Sequence, residues 1–175
     1  MSRVRWVSTS LPTYDQVLEL PAQIERVVPD EFIDLNGHMN IGRYLELGGT
    51  ALWSRCRTDL GMGDEYISAR GMSTFTAEHH LTYLAEIVQD EEVSVHVRLV
   101  ERSDKVLHTV TLIANRTREQ LSCVVEATLV HMDMSTRRPT PYPEDVAALI
   151  DTGLKADDLA WPAPLCGAMG VRRRS

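Results

Sequence analysis

The sequence has too few of the residues on which disulfide frameworks, membrane spans and nucleic-acid surfaces depend. Its 175 residues hold three cysteines, Cys56, Cys123 and Cys166, scattered and odd in number. They form neither a disulfide framework nor a Cys-x-x-Cys metal pair, and they suit a reducing compartment. No stretch approaches the ~20 apolar residues of a membrane-spanning helix. The opening MSRVRWVSTSLPTYD has no apolar core of signal-peptide length. A soluble, cytoplasmic protein with no membrane contact is therefore expected. Asn115-Arg116-Thr117 has the spacing of a glycosylation acceptor, which carries no weight without secretion. A formal net charge of -7 argues against a nucleic-acid partner, since phosphate contacts need clustered Lys and Arg. The one dense basic run, Arg172-Arg173-Arg174, reads as a solvated tail. Phosphate loops of the GxxxxGK type, HExxH helices and GxSxG elbows are also missing, and no metal or cofactor is expected.

What is present is ordinary globular material, 43% hydrophobic and 25% charged, of a length that suits one domain. Residues Met1 to Gln23 carry two prolines and no sustained periodicity, and they read as an arm laid on the domain. A first strand is expected from about Ile24 to Ile33, with Pro29 forcing an edge or bulge. The turn-rich DLNGHMN comes next. After it, Ile41, Tyr44, Leu45, Gly48, Leu52 and Cys56 follow the spacing of one buried helical face, which predicts a helix from Ile41 to Arg57 capped by Asn40. The pair Gly48-Gly49 costs up to ~2 kcal/mol of helix propensity, so the helix must pack closely against another element. The simplest such element is a sheet wrapped round the helix. Gly61, Gly63 and Gly71 mark a loop. Four strands are then predicted at Thr74 to Leu84, Val93 to Arg102, Val106 to Asn115 and Leu121 to Met132. Val93, Val95, Val97 and Leu99 alternate with polar residues, as in a half-buried strand. Short polar links make these strands antiparallel neighbours. Pro139, Pro141 and Pro143 close the sheet region, and Glu144 to Leu154 predicts a last helix. The order is α+β rather than a βαβ array.

The segment Asp34-Leu35-Asn36-Gly37-His38-Met39-Asn40 lies between a strand and a helix N-terminus. Unpaired amides and the positive end of the helix dipole collect there and stabilise negative charge. A thioester carbonyl placed at that point would be polarised, and its tetrahedral oxyanion stabilised further. Gly37 lets backbone approach a ligand closely. A nearby carboxylate such as Asp34 could serve as general base to water or attack the carbonyl itself. On residue types alone, Asp34 and Asn36 are equally well turn formers and Asn40 a cap.

The stretch FIDLNGHMNIGRYLELGGTALW resembles the Asp-bearing segment of hot-dog thioesterases of the hydroxybenzoyl-CoA thioesterase type, with Asp34, Gly37, His38, Asn40, Tyr44 and Glu46 on the family's positions. EHHLTYLAEIVQDEEVSVHVRLV is similar to its next two strands, although Gln89 stands where many relatives have Gly. The resemblance covers about Ile24 to Asp133. It implies an antiparallel sheet wrapped around one long central helix, and a homodimer or dimer of dimers with active sites at the subunit interface. It also implies an acyl-CoA substrate, Asp34 as the catalytic carboxylate, and backbone N–H groups of Gly37, His38, Met39 and Asn40 as oxyanion contacts. Tyr44, Glu78 and His79 are candidate pocket residues. The chain then divides into an extension at 1–23, the hot-dog domain at 24–135, and a C-terminal helix and tail at 136–175.

EHHLTYLAE and SDKVLHTVTL are also similar to the thioesterases fused to or beside carnitine dehydrogenases, which implies carnitine metabolism and betainyl-CoA. A trimethylammonium acyl group calls for an aromatic cage or a carboxylate, and Trp53, Tyr66, Tyr83, Trp161 and Glu78 are candidates. The remaining histidines lie on predicted strands without a metal-binding spacing. Two other readings stay open. An (R)-specific enoyl-CoA hydratase of the same fold would need a His five residues after the Asp, whereas His38 follows Asp34 by four and Gly37 replaces a Pro. A non-catalytic acyl-CoA-binding protein would share the fold without the chemistry.

Overall fold

The computed structural model describes residues 10–172, so residues 1–9 of the expected arm and most of the terminal arginine run lie outside the described residues. The elements run α1 (Tyr14–Val17), β1 (Ala22–Val27), a 3-10 turn (Asp30–Phe32), α2 (Ile41–Thr58), α3 (Asp64–Arg70), β2 (Met72–Tyr83), β3 (Glu92–Arg102), β4 (Val106–Asn115), β5 (Gln120–Asp133), β6 (Arg138–Pro139) and α4 (Glu144–Ala156). The sheet is antiparallel, in the order β1-β3-β4-β5-β2, with β6 added beside β5. Helix α2 touches β1, β3, β4 and β5, so the sheet curls around it as the resemblance implied.

The helix sits deep because Gly48 faces β5. A Cβ there would lie 3.2 Å from a Val125 methyl, whereas one at Gly49 would meet nothing within 4 Å. Only one glycine of the pair is thus needed for close approach. The buried face is Tyr44, Leu47, Gly48, Ala51, Leu52, Arg55 and Cys56. Ile41 and Leu45, expected on that face, are 63% and 38% exposed. The face is rotated because Leu47 and Ala51 fill the concavity in their place. Arg55 enters the same interior. Its guanidinium donates to Val97 O and, at 2.9 Å, to Asp157 Oδ1, while the other Asp157 oxygen accepts from Leu99 N–H at 2.6 Å. Asp157 follows the last turn of α4, so this buried pair ties the terminal helix to the central one.

Three expectations require correction. The first strand stops at Val27, because Pro29 turns the chain into the 3-10 segment instead of a bulge. The region of Gly61 to Gly71 is not all loop: α3 occupies Asp64–Arg70 and ends on Gly71 in the left-handed conformation (φ 63°). Finally, β3 is not half-buried. Ser94, His96 and Arg98, on the face opposite Val93, Val95 and Val97, are also covered. Their cover is a second layer built from both ends of the chain. Val17 and Leu20 pack with Val110, Leu112, Val124 and Trp161 into a separate apolar cluster. The polar residues of β3 fasten it. His96 Nδ1 lies 2.8 Å from Leu20 O, Arg98 donates to the carbonyls of Asp157 and Trp161, and its guanidinium stacks 4.3 Å over the Trp161 ring. Trp161 Nε1–H donates to Glu19 Oε2 at 3.1 Å. Trp161 is therefore committed to this layer.

Adding a side chain at Gly48 should overpack the helix–sheet contact, and Gly48→Leu should cost about 1–3 kcal/mol. Gly49→Ala should instead stabilise by up to ~1 kcal/mol through helix propensity. Urea midpoints of the two variants check both signs. Burial holds the imidazoles of His96 and His131 below their ordinary value of 6.5. The unfolded chain therefore binds protons that the folded one refuses, and stability should fall as pH drops from about 7 to 5.5. His96→Gln should flatten that slope in urea titrations across the window.

Candidate active site

The turn after the 3-10 segment is closed by its own backbone. Ile33 and Met39 form an isolated antiparallel bridge, Asp34 N–H donates to His38 O at 3.0 Å, and Gly37 N–H donates to Asp34 O at 2.9 Å. Gly37 supplies the left-handed residue the turn needs, at φ 81°. Met39 is fully buried and its N–H donates to Ile87 O at 2.7 Å, which anchors the turn to the link between β2 and β3. Asn40 N–H donates to Phe32 O at 2.8 Å, and Asn40 Oδ1 accepts from Gly42 N–H at 2.9 Å, capping α2 as its position in the sequence suggested.

These bonds sort the amides. Those of Gly37, Met39 and Asn40 are occupied within the protein. Among the described residues, the amides of Leu35, His38 and Ile41 have no acceptor; Leu35 is fully exposed, whereas Ile41 is the first residue of α2, where an orphan N–H and the helix dipole coincide. Ile41 is a donor that the sequence reading missed. It became visible only once the side chain of Asn40 was seen to take the next amide along.

Asp34 Oδ1 accepts from Asn36 N–H at 2.8 Å, and its Oδ2 is unengaged among the described residues. The side chain is about one-fifth exposed. One oxygen is thus held in place while the other is unengaged among the described residues. His38 Nδ1 lies 3.9 Å from Asp34 Oδ1 but closer, at 3.3 Å, to Met39 O, so the imidazole is oriented by the backbone more than by the carboxylate.

Asp34 lines a cleft of about 460 Å³ together with Glu31, Asn40 and Arg43. Arg43 is bound to Glu46 at 2.6 Å and donates to Glu31 O at 3.3 Å. On the other side of the turn, His38, Met39, Ile41, Tyr44, Tyr83 and Glu86 are among the residues around a second cavity of about 260 Å³. Tyr44 and Tyr83 meet edge to face, with ring centroids 5.2 Å apart and planes at 84°. Burial pushes the Tyr44 phenol up to about 12, and Tyr83 moves the same way for the same reason, so both rings stay neutral. Tyr83 O–H donates to Ile41 O at 3.3 Å, joining the end of β2 to the start of α2. A further cleft of about 640 Å³ lies beside α3 among Arg57, Glu65 and Arg70 and includes none of the turn residues.

The structure brings Asp34, Gly37, His38, Met39, Asn40 and Tyr44 together. It sets Glu78 and His79 apart, because neighbouring side chains of β2 point to opposite faces. His79 is in register with Ala127, which packs in the core on the α2 side. Glu78 accepts from Arg172 at 2.7 Å, in the layer formed by the C-terminal tail. Of the other cage candidates, Tyr66 hydroxyl lies 2.7 Å from His131 Nε2, and Trp53 packs partly buried against the core. Only Tyr83 adjoins the turn. One group with metal-ligand chemistry occurs among the described residues: His80, Glu126 and Cys166, with ligand atoms within 4.8 Å of one another. Both Glu126 oxygens are already taken, by His108 Nε2 at 2.8 Å and by Cys166 N–H at 2.7 Å. Glu126 lies on the strand face opposite Val125, away from α2 and the turn.

A curled antiparallel sheet around one long helix, with a carboxylate-bearing turn at the helix N-terminus, defines the hot-dog class of α+β proteins. The family model described as the Thioesterase-like superfamily matches residues 27–150, and the chain belongs to that family. It is 32% identical over 140 residues to an L-carnitine dehydrogenase/betainyl-CoA thioesterase of Ruegeria pomeroyi, covering 79% of this chain and 28% of that protein. The chain thus spans little more than a quarter of that relative. A betainyl-CoA thioesterase of Pseudomonas aeruginosa is 28% identical over 140 residues, covering 80% of this chain and 87% of its own length. Among solved structures, a Staphylococcus aureus protein in complex with CoA superposes with a TM-score of 0.77 at 21% identity, over 89% of this chain and 97% of that one. A 1,4-dihydroxy-2-naphthoyl-CoA thioesterase from Synechocystis gives 0.65 at 17% identity, over 79% and 97%. At these identities the likeness is one of fold. Among the described residues, no helix is long and apolar enough to cross a membrane.

Asp34→Asn keeps an oxygen that can accept from Asn36 N–H, so its urea midpoint should match the native protein's to within about 0.5 kcal/mol. Asp34→Ala loses that bond and should cost about 1 kcal/mol. The asparagine variant is therefore the clean probe of the carboxylate.

Proposed function

We propose that this protein hydrolyses acyl-CoA thioesters, with Asp34 as the catalytic carboxylate. The observation that carries this reading is one carboxylate with a fixed oxygen and a free one, in a turn where the His38 amide and the first amide of α2, Ile41, have no acceptor. In this reading the thioester oxygen sits at the amides of His38 and Ile41, where developing negative charge is stabilised most in the tetrahedral intermediate. Asp34 takes a proton from water as the water oxygen attacks the carbonyl carbon, or attacks that carbon itself and is released by water in a second step. Either route breaks the carbon–sulfur bond, and the CoA sulfur leaves as thiolate or thiol.

The betainyl-CoA thioesterases among the relatives support a small, cationic acyl group, betainyl, as the substrate. The size of the cavity beside Tyr44 and Tyr83 agrees, since about 260 Å³ lies below the range of roughly 300–1,000 Å³ that suits drug-sized ligands. We also propose a homodimer. Strand β2 is an edge of twelve residues, long and largely exposed, which is the kind of edge another chain pairs with. Tyr83 at its end reaches the turn, so pairing there would bring a second chain to the site.

Thiol release from a panel of acyl-CoA esters, betainyl-CoA included, tests the hydrolase reading. The native protein should turn over at least one ester, and Asp34→Asn should lower kcat by about 100-fold or more, as loss of a general base does. Binding of CoA esters without thiol release would favour a carrier, and hydration of an enoyl-CoA would favour the hydratase.

A further inference from the structure

We propose that the corner formed by Tyr44, Tyr83 and Glu86 is a subsite for an acyl group ending in a quaternary ammonium. The inference rests on the hydrolase reading and names the side chains that would select the acyl group. The corner shares a cavity with His38, Met39 and Ile41 of the turn, so a thioester carbonyl at the free amides of His38 and Ile41 has the rings within the same cavity for its acyl end. A quaternary ammonium has no hydrogen to donate. It is held by ring faces, by methyl contact and by an opposite charge near enough to act without a hydrogen bond.

The cavity meets each need. Two ring planes at 84° make two walls of a corner, and both rings are held. Tyr44 is buried, and Tyr83 is pinned through its hydroxyl to Ile41 O at 3.3 Å. Met39, Ile41 and Leu84 supply apolar walls. Glu86 brings the charge. Among the described residues its one ion pair is a long contact of 3.8 Å to Arg118, whose guanidinium is bound to Glu91 instead. Among the described residues no Lys or Arg lines this cavity, whereas Arg43 lines the cleft on the other side of the turn. The helix dipole, which favours the thioester oxygen, opposes a cation at the same helix end. An acyl cation can be accommodated there only if rings and a carboxylate offset that field, and these are the groups the cavity presents.

The test compares betainyl-CoA with 3,3-dimethylbutanoyl-CoA, in which carbon replaces nitrogen at nearly the same shape without the charge. The native protein should favour the cationic ester in kcat/KM by about tenfold, within the roughly 2- to 30-fold that a cation over aromatic rings provides. Tyr83→Leu and Glu86→Gln should each lower activity on betainyl-CoA several-fold more than on the neutral ester. Equal handling of the two esters by the native protein, or equal losses in the variants, would overturn the subsite and leave the hydrolase reading intact. No thiol release from either ester or from any other ester of the panel would overturn the hydrolase reading. Calorimetric binding of both esters to Asp34→Asn then decides the subsite by itself, with tighter binding of the cationic ester supporting it and equal binding overturning it.

Discussion

Helix α2 lies flush against β5 because position 48 has no side chain, and the depth of that contact sets much else. A helix so deep carries Arg55 into the interior, where an unpaired guanidinium would be costly. Asp157 answers it from beyond the end of α4, and Leu99 N–H takes the second carboxylate oxygen. The C-terminal helix is thereby fixed by the same burial that fixes the central one. At its other end, α2 brings its first residue level with the turn at Asp34. A shallower helix would leave the Ile41 amide and the Asp34 carboxylate out of register with each other. The close approach at one glycine thus reaches both the stability of the termini and the geometry of the site.

The turn shows how local bonds distribute chemistry. Seven consecutive residues offer several amides, and the closed backbone uses most of them. What remains unpaired is selected by the bonds already made: Asn40 takes the amide of Gly42 with its side chain and leaves Ile41 alone, and Asn36 fixes one oxygen of Asp34 and leaves the other. The two cavities flanking the turn differ in charge and in aromatic content, so the turn divides a cleft with an arginine from one lined by tyrosines and Glu86.

Most of the architecture could be read from periodicity. Helix α2 and the four long strands fall within a few residues of where alternation and helical spacing put them, because each buries a regular apolar face. The failures have physical causes. Val93, Val95 and Val97 alternate with Ser94, His96 and Arg98, and alternation of that kind normally means one wet face. Here the polar members anchor a second layer by hydrogen bonds, which no pattern within the strand reveals. Ile41 and Leu45 have the right spacing for the core, yet Leu47 and Ala51 on the next face pack there instead. Glu78 and His79 are adjacent in sequence but sit on opposite faces of the sheet. Asp34 and its turn were legible through resemblance. The free Ile41 amide was not, because it depends on which amide the Asn40 side chain takes, and Glu86 was not, because only the fold brings Tyr44 beside Tyr83 and the residues that follow it.

The outer layer that joins Glu19 to Trp161 has a consequence for synthesis. The apolar outer face of β4 and β5 gains part of its cover from the N-terminal segment at once, but Trp161 follows the end of β5 by a whole helix. At about 5–20 residues per second, that stretch takes a few seconds to be made. During this interval the ribosome carries a sheet whose outer side is half-dressed, with Val110, Leu112 and Val124 open to whatever chaperone or neighbouring nascent chain is near. The buried clasp of the finished protein is therefore also the last-closing gap in its biogenesis.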